Sequence, residues 1–171
     1  MEDKTFLIEN INEAVNQISL FLQNVNDDKL HIKPNNKWSI AENIIHLNKS
    51  VAPINMALSL PKIAFFPFGK AKNSLGYDKI VAKYQSALNN GGKASKQYEP
   101  NISADNLNKA TLIEDFNNHY AQFCKKLDKW SEKNLDTYRL PHPLIGKITV
   151  RDMSLFTIYH LKHHYKGFQN N

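Results

Sequence analysis

Apolar residues return at alternating steps of three and four near the start of the chain: Ile8, Ile11, Val15, Ile18, Leu22 and Val25, with Asn12, Glu13, Asn16, Gln17 and Asn24 between them. At 3.6 residues per turn such a set forms one stripe along a helix, the seam of a bundle helix packing at a shallow angle. The pattern recurs in Ile40, Ile44, Leu47, Val51, Ile54 and Leu58, and again in Leu112, Phe116, Tyr120, Phe123, Leu127 and Trp130. A shorter version runs through Tyr77, Ile80, Val81, Tyr84 and Leu88, and a last one through Met153, Phe156, Thr157, His160, Leu161, His164 and Phe168. No run alternates convincingly at the strand period. The spacing therefore predicts an all-α chain with helices near 5–26, 39–58, 77–90, 111–131 and 150–168. Four long helices and one short one suit an antiparallel four-helix bundle with a cross-over connection, in one domain over 1–171.

Local signals set the expected boundaries. Ser39-Ile40-Ala41-Glu42 and Thr111-Leu112-Ile113-Glu114 both read as capping boxes, and Thr149 as the cap of the last helix, with Asp152 in its first turn. Asn26-Asp27-Asp28 closes the first helix, and Pro53 should bend or shorten the second one turn past His46. Residues 61–76 form an aromatic connection whose Phe65, Phe66 and Phe68 are expected to dock on the bundle or on a partner. Residues 93–106 read as a polar crossing loop and 131–149 as irregular, including Pro141-His142-Pro143. In the final helix Arg151, Lys162 and Lys166 fall opposite the apolar stripe, on the expected solvent side.

Charge and cysteine content narrow the function classes. The formal net charge is +6, but the lysines are scattered among acids with no run of five, so the balance reads as a solvated surface rather than a nucleic-acid site. The N-terminus lacks a signal-peptide layout and no apolar run approaches ~18 residues, which leads to the expectation of a cytoplasmic chain with no membrane partner. Cys124, the one cysteine, cannot form an internal disulfide and is expected to be a packed structural thiol.

The histidines carry the chemistry. His160 and His164, spaced i, i+4 within the buried stripe, project side by side and can share one ion. Unpaired ring nitrogens in a core cost about 1–3 kcal/mol each, so the two need a shared purpose or other partners. The competing reading is one satisfied core histidine beside surface ones. His163 points to the flank. On the second helix His46 sits with Asn43 and Ser50 in a narrow polar strip at the edge of the apolar face, where a helix lines a pocket; a solvated His46 is its alternative. His119 flanks the stripe of the third long pattern, opposite Cys124, and joins Asn43, Ser50 and His163 as a pocket candidate. His46 could complete His160 and His164 as three neutral imidazoles around one cation with a coordination position open.

At Lys37-Trp38-Ser39-Ile40-Ala41-Glu42 leading to His46-Leu47, at Pro143-Leu144-Ile145-Gly146 with Ile148-Thr149-Val150, and at His160-Leu161-Lys162-His163-His164, the chain resembles the DinB/YfiT-like superfamily of metal-dependent bundle proteins. The resemblance implies metal ligands at His46, His160 and His164, a divalent ion such as Zn²⁺ or Ni²⁺, and a homodimer. It further implies activation of water or a small thiol, for hydrolysis or S-transfer on a small-molecule substrate. The same fold also suits a non-catalytic ligand-binding or stress-response module. No Ser/His/Asp set, phosphate-binding glycine loop or carboxylate dyad is evident, and the stripes lack the acids of a di-iron bundle.

Overall fold

The structure, a computed structural model, describes residues 2–34, 37–100 and 108–169. Part of the expected crossing loop, residues 101–107, lies outside them. Seven helices run in the order α1 (Lys4–Asn24), α2 (Asp27–His31), α3 (Ile40–Leu58), α4 (Tyr77–Asn89), α5 (Lys109–Asp128), α6 (Glu132–Thr137) and α7 (Val150–Gln169) among the described residues, with a hairpin of β1 (Arg139–His142) and β2 (Gly146–Thr149) before the last. The long helices are α1, α3, α5 and α7, and α1 and α3 each pack against both α5 and α7.

Side-chain pairs give the direction of each helix. Ser19 meets Asn117 while Asn12 meets Cys124, so α1 and α5 are antiparallel. Tyr120 reaches the Leu47 carbonyl and Lys126 that of Asn55, so α3 and α5 are parallel. Arg151 holds the Glu2 carbonyl and Tyr165 packs on Phe21, making α1 and α7 parallel. His46 meets His160 and Asn43 meets His164, making α3 and α7 antiparallel. Because α3 and α5 point the same way, the chain between them must return along the bundle. Residues 59–100 carry the described part of that cross-over, with α4 laid on α7 within it.

The structure differs from the sequence expectations at five places. The hairpin replaces the expected irregular stretch; it pairs Arg139 with Thr149 and Pro141 with Lys147, and is too short to show alternation in sequence. Helix α5 starts at Lys109, capped by the Asn108 side chain on the Ala110 amide, and not at a Thr111–Glu114 box. Residues Asp27 and Asp28 open α2 instead of merely closing α1. Pro53 does not shorten α3, which continues to Leu58. Arg151 is not on a solvent face: only 2% of it is exposed. Helix α6 and β2 pack over the first half of α7 and bury Val150 to Ile158 on every side, so a one-stripe reading fails there. The guanidinium is satisfied by Asp136 (Nε–Oδ1 2.6 Å) and Glu132 (Nη2–Oε2 2.6 Å).

Other local expectations hold. The Ser39–Glu42 capping box is complete, with Glu42 N donating to Ser39 Oγ at 3.2 Å and Ser39 N to Glu42 Oε2 at 2.9 Å. Thr149 Oγ1 accepts from the Asp152 amide at 3.0 Å. The Asp152 carboxylate in turn accepts from the Leu75 and Gly76 amides, fastening the start of α4 to the start of α7. Phe65 docks against Trp130 and Tyr138, whereas Phe66 is 81% exposed. Cys124 is buried, which pushes its pKa up to about 11 and leaves a poor nucleophile.

Candidate metal centre and its cavity

The antiparallel pairing of α3 and α7 sets the second turn of one beside the C-terminal half of the other. It brings together His46 and His160, 114 residues apart, with Nε2 atoms 3.1 Å from each other. His164, one turn beyond His160, places its Nε2 3.0 Å from the His160 Nε2. One ligand atom from each of the three lies within 4.8 Å of the others.

The opposite ring nitrogens decide what these atoms can do. His46 Nδ1 lies 2.8 Å from the Tyr98 carbonyl, which can only accept, so the proton sits on Nδ1 and Nε2 keeps its lone pair. That carbonyl is held in place by Lys49, whose Nζ donates to the neighbouring Glu99 carbonyl. On α3, the Asn43 amide nitrogen donates to the Trp38 and Ser39 carbonyls, which orients its Oδ1 to accept from His164 Nδ1–H at 2.7 Å. His164 Nε2 is thereby also a lone pair. A single hydrogen on His160 Nε2 could satisfy one of these neighbours and not both.

Burial lowers the pKa of His46, with Lys49 adding to the effect and the Tyr98 carbonyl opposing it. Burial first, then the neighbouring imidazoles, holds His160 and His164 well below the ordinary histidine value. Three neutral imidazoles with converging Nε2 atoms, two of them oriented with the lone pair inward by a carbonyl and an amide behind them, fit a divalent cation.

Beside the imidazoles lies a cavity of about 320 Å³, bordered by His46 and His160 and walled chiefly by apolar side chains such as Ile54, Leu60, Met153 and Phe156. Ser50 borders it and donates through Oγ to the His46 carbonyl. Asn43 acts behind His164 and does not border the cavity. His119 lies elsewhere: its carbonyl accepts from Asn55 on α3, and its ring lines no part of this cavity. His163 is exposed, stacks on Tyr159, and borders a different groove with Lys162 and Lys166.

Two participants were missed in the sequence. The Tyr98 carbonyl is a backbone group, so no residue-type signal points to it. His142 borders the cavity from β1, and burial pushes its pKa down to about 4. A histidine between two prolines at the edge of an unrecognised hairpin was its one visible sign.

No curated protein matches the chain. Among solved structures, it is similar in fold to YfiT from Bacillus subtilis, reported as a probable metal-dependent hydrolase with an unusual four-helix bundle topology. The TM-score is 0.65 at 12% identity, covering 98% of this chain and 84% of that one. The family model of the DinB superfamily matches residues 11–166, a span that contains all four long helices in whole or large part and all three converging histidines. The chain belongs to the DinB superfamily.

Proposed function

We propose that the protein is a metal-dependent enzyme whose His46, His160 and His164 hold one divalent ion, Zn²⁺ or Ni²⁺, beside a substrate cavity. The observation that carries this reading is the convergence of three Nε2 atoms whose tautomers are set at His46 by Tyr98 and at His164 by Asn43. A divalent ion in such a site lowers the pKa of a coordinated water or thiol and makes a nucleophile at neutral pH. The chain's own part is to orient the imidazoles, keep them neutral, and surround a small molecule with apolar walls that exclude bulk water. The reactions in view are hydrolysis, and transfer to a low-molecular-weight thiol. Because Cys124 is buried, such a thiol comes from the substrate side. We place the protein in the cytoplasm as a homodimer, with exposed Ile63 and Phe66 contributing to the contact; no single helix among the described residues is long and apolar enough to cross a membrane.

One observation favours a non-catalytic ligand-binding or stress-response role as the second reading: no Asp or Glu among the described residues borders the cavity, so no carboxylate base faces the substrate. Protein purified without a nickel column should contain close to one divalent ion per chain by elemental analysis. Turnover of activated esters, or of a generic electrophile with added thiol, should depend on that ion. Bound metal without any turnover would favour the binding module, and no bound metal would overturn the reading.

A further inference from the structure

His142 is tied through one ring nitrogen, and among the described residues the other makes no hydrogen bond. Its Nδ1 accepts from the Leu144 amide at 3.1 Å and the Ile145 amide at 3.3 Å, inside the turn of the hairpin. An acceptor nitrogen carries no proton, so in the neutral ring the hydrogen is on Nε2. Among the described residues Nε2 has no protein partner, although the residue is only 8% exposed and borders the cavity. The ring is held edge-on to Phe156, with centroids 4.3 Å apart, and Phe156 stacks in turn on His160 at 5.1 Å. His142 thus stands one aromatic ring away from the converging imidazoles. Among the described residues Lys93 is the one charged side chain bordering the cavity, and no acid borders it.

We propose that His142 is the substrate-binding donor of this cavity, presenting its Nε2–H to an uncharged acceptor oxygen on a small and otherwise apolar molecule such as an ester, amide or ketone. The proposal rests on the reading that the cavity beside the three histidines receives the substrate, and it adds the class of molecule received. Burial keeps the imidazole neutral down to about pH 4, so the donor is uncharged throughout the physiological range. An uncharged donor selects a carbonyl-type oxygen, and the apolar walls reject groups that would lose their hydration without a partner.

The test uses the zinc-loaded, ¹⁵N-labelled protein and three probes: acetophenone, its carbonyl-free counterpart ethylbenzene, and the cation 1-phenylethylammonium. Two-bond ¹H–¹⁵N spectra of the histidines should show His142 as the Nε2–H tautomer, with its Nε2 signal shifting on titration with acetophenone and not with ethylbenzene. One hydrogen bond corresponds to about three- to tenfold tighter binding of acetophenone than of ethylbenzene. Two substitutions separate the cavity role from the turn role. His142→Asn can still accept the Leu144 and Ile145 amides through Oδ1 but presents no donor at the Nε2 position, and it should lose the preference. His142→Gln presents a donor there and forfeits the turn acceptor, and it should keep the preference. The proposal is overturned if His142 is the Nδ1–H tautomer, if the wild type fails to prefer acetophenone, if the cation binds best, or if His142→Asn retains the preference. Should neither variant fold, the tautomer and the probe preference of the wild type still decide the matter. Zinc content, measured in every sample, tests the metal reading separately, since His142 is not one of the three proposed ligands and packs on Phe156, which stacks on His160.

Discussion

His164 can offer its Nε2 lone pair toward His160 because Asn43 Oδ1 takes the proton on its other side, and Asn43 is itself pinned by two backbone carbonyls at the start of α3. Replacing His46, His160 or His164 with Ala should each empty the site, whereas His163→Ala should leave metal content near wild type, because its ring turns to Tyr159 and solvent. Asn43→Ala should be graded: loss of an orienting partner typically weakens metal binding by about 10- to 100-fold, measurable by competition with a chromophoric chelator. If His163→Ala empties the site and His164→Ala does not, the ligand pair is misassigned. Protonation follows from the same burial. His46, His142, His160 and His164 all have folded-state pKa values below the unfolded value of about 6.5. Below that pH the unfolded chain binds more protons than the folded one, so stability rises with pH through this window. The metal-free protein should therefore hold its melting temperature from pH 8 to about 6.5 and lose it steadily from there toward pH 4. A flat profile between pH 6.5 and 5 would contradict neutral, buried imidazoles.

At the scale of elements, the start of α3 serves both fold and site, since its cap lies one turn ahead of Asn43. Ser39→Ala removes the side-chain acceptor of the Glu42 amide and should cost about 1 kcal/mol in chemical denaturation, while the backbone carbonyl that Asn43 donates to is retained. The start of α7 depends on a buried charge. Arg151 is enclosed, while Glu132 is half exposed and Asp136 lies near the surface. Removing a carboxylate leaves the buried guanidinium short of a partner, so Asp136→Ala should cost about 3 kcal/mol. Arg151→Met takes the charge away together with its desolvation penalty and should be the milder change, with both compared by urea unfolding. The reverse ranking would mean that the network serves chiefly to hold α6 in place. Pro53 shows why a local breaker does not decide an element: α3 gains its burial from Ile40, Ile44, Leu47, Val51, Ile54 and Leu58, and that packing carries the helix past the missing amide.

For the whole molecule, the proposed ion would join the second long helix to the last, adding to an apolar core that exists without it. A ligand that binds only the folded state raises the unfolding free energy by RT ln(1 + [L]/Kd), so a chelator should lower the melting temperature of the wild type by several degrees. The same chelator should leave His160→Ala nearly unmoved, and both proteins should keep a helical circular dichroism spectrum. An equal drop in both would show that the chelator acts on something other than this site. The cross-over also has a consequence for assembly. It leaves Ile63 and Phe66 exposed in the same connection as Leu60, which borders the cavity. Light scattering of the wild type against Phe66→Ser should show whether a dimer forms through this face.

What the sequence determined by itself was whatever repeats within one or two helical turns. The 3-4 stepping located all four long helices, the Ser39 and Thr149 caps located two of their starts, and the i, i+4 spacing placed His160 and His164 on one face, because each depends only on the pitch of a helix. That His46 belongs with them came from family resemblance, since nothing in its own segment says which helix it will face. Tertiary structure alone decided the rest. Whether α3 stands beside α5 or α1 depends on how the long connection runs, and Arg151 is buried because α6 and the hairpin cover a face that a single helix shows as open. Tyr98, Asn43 and His142 acquire their roles from partners brought in from elsewhere in the chain, 52 residues away for Tyr98 and 121 for Asn43. Periodicity reports which side of a helix is dry; the identity of the neighbour on that side is a property of the packed molecule.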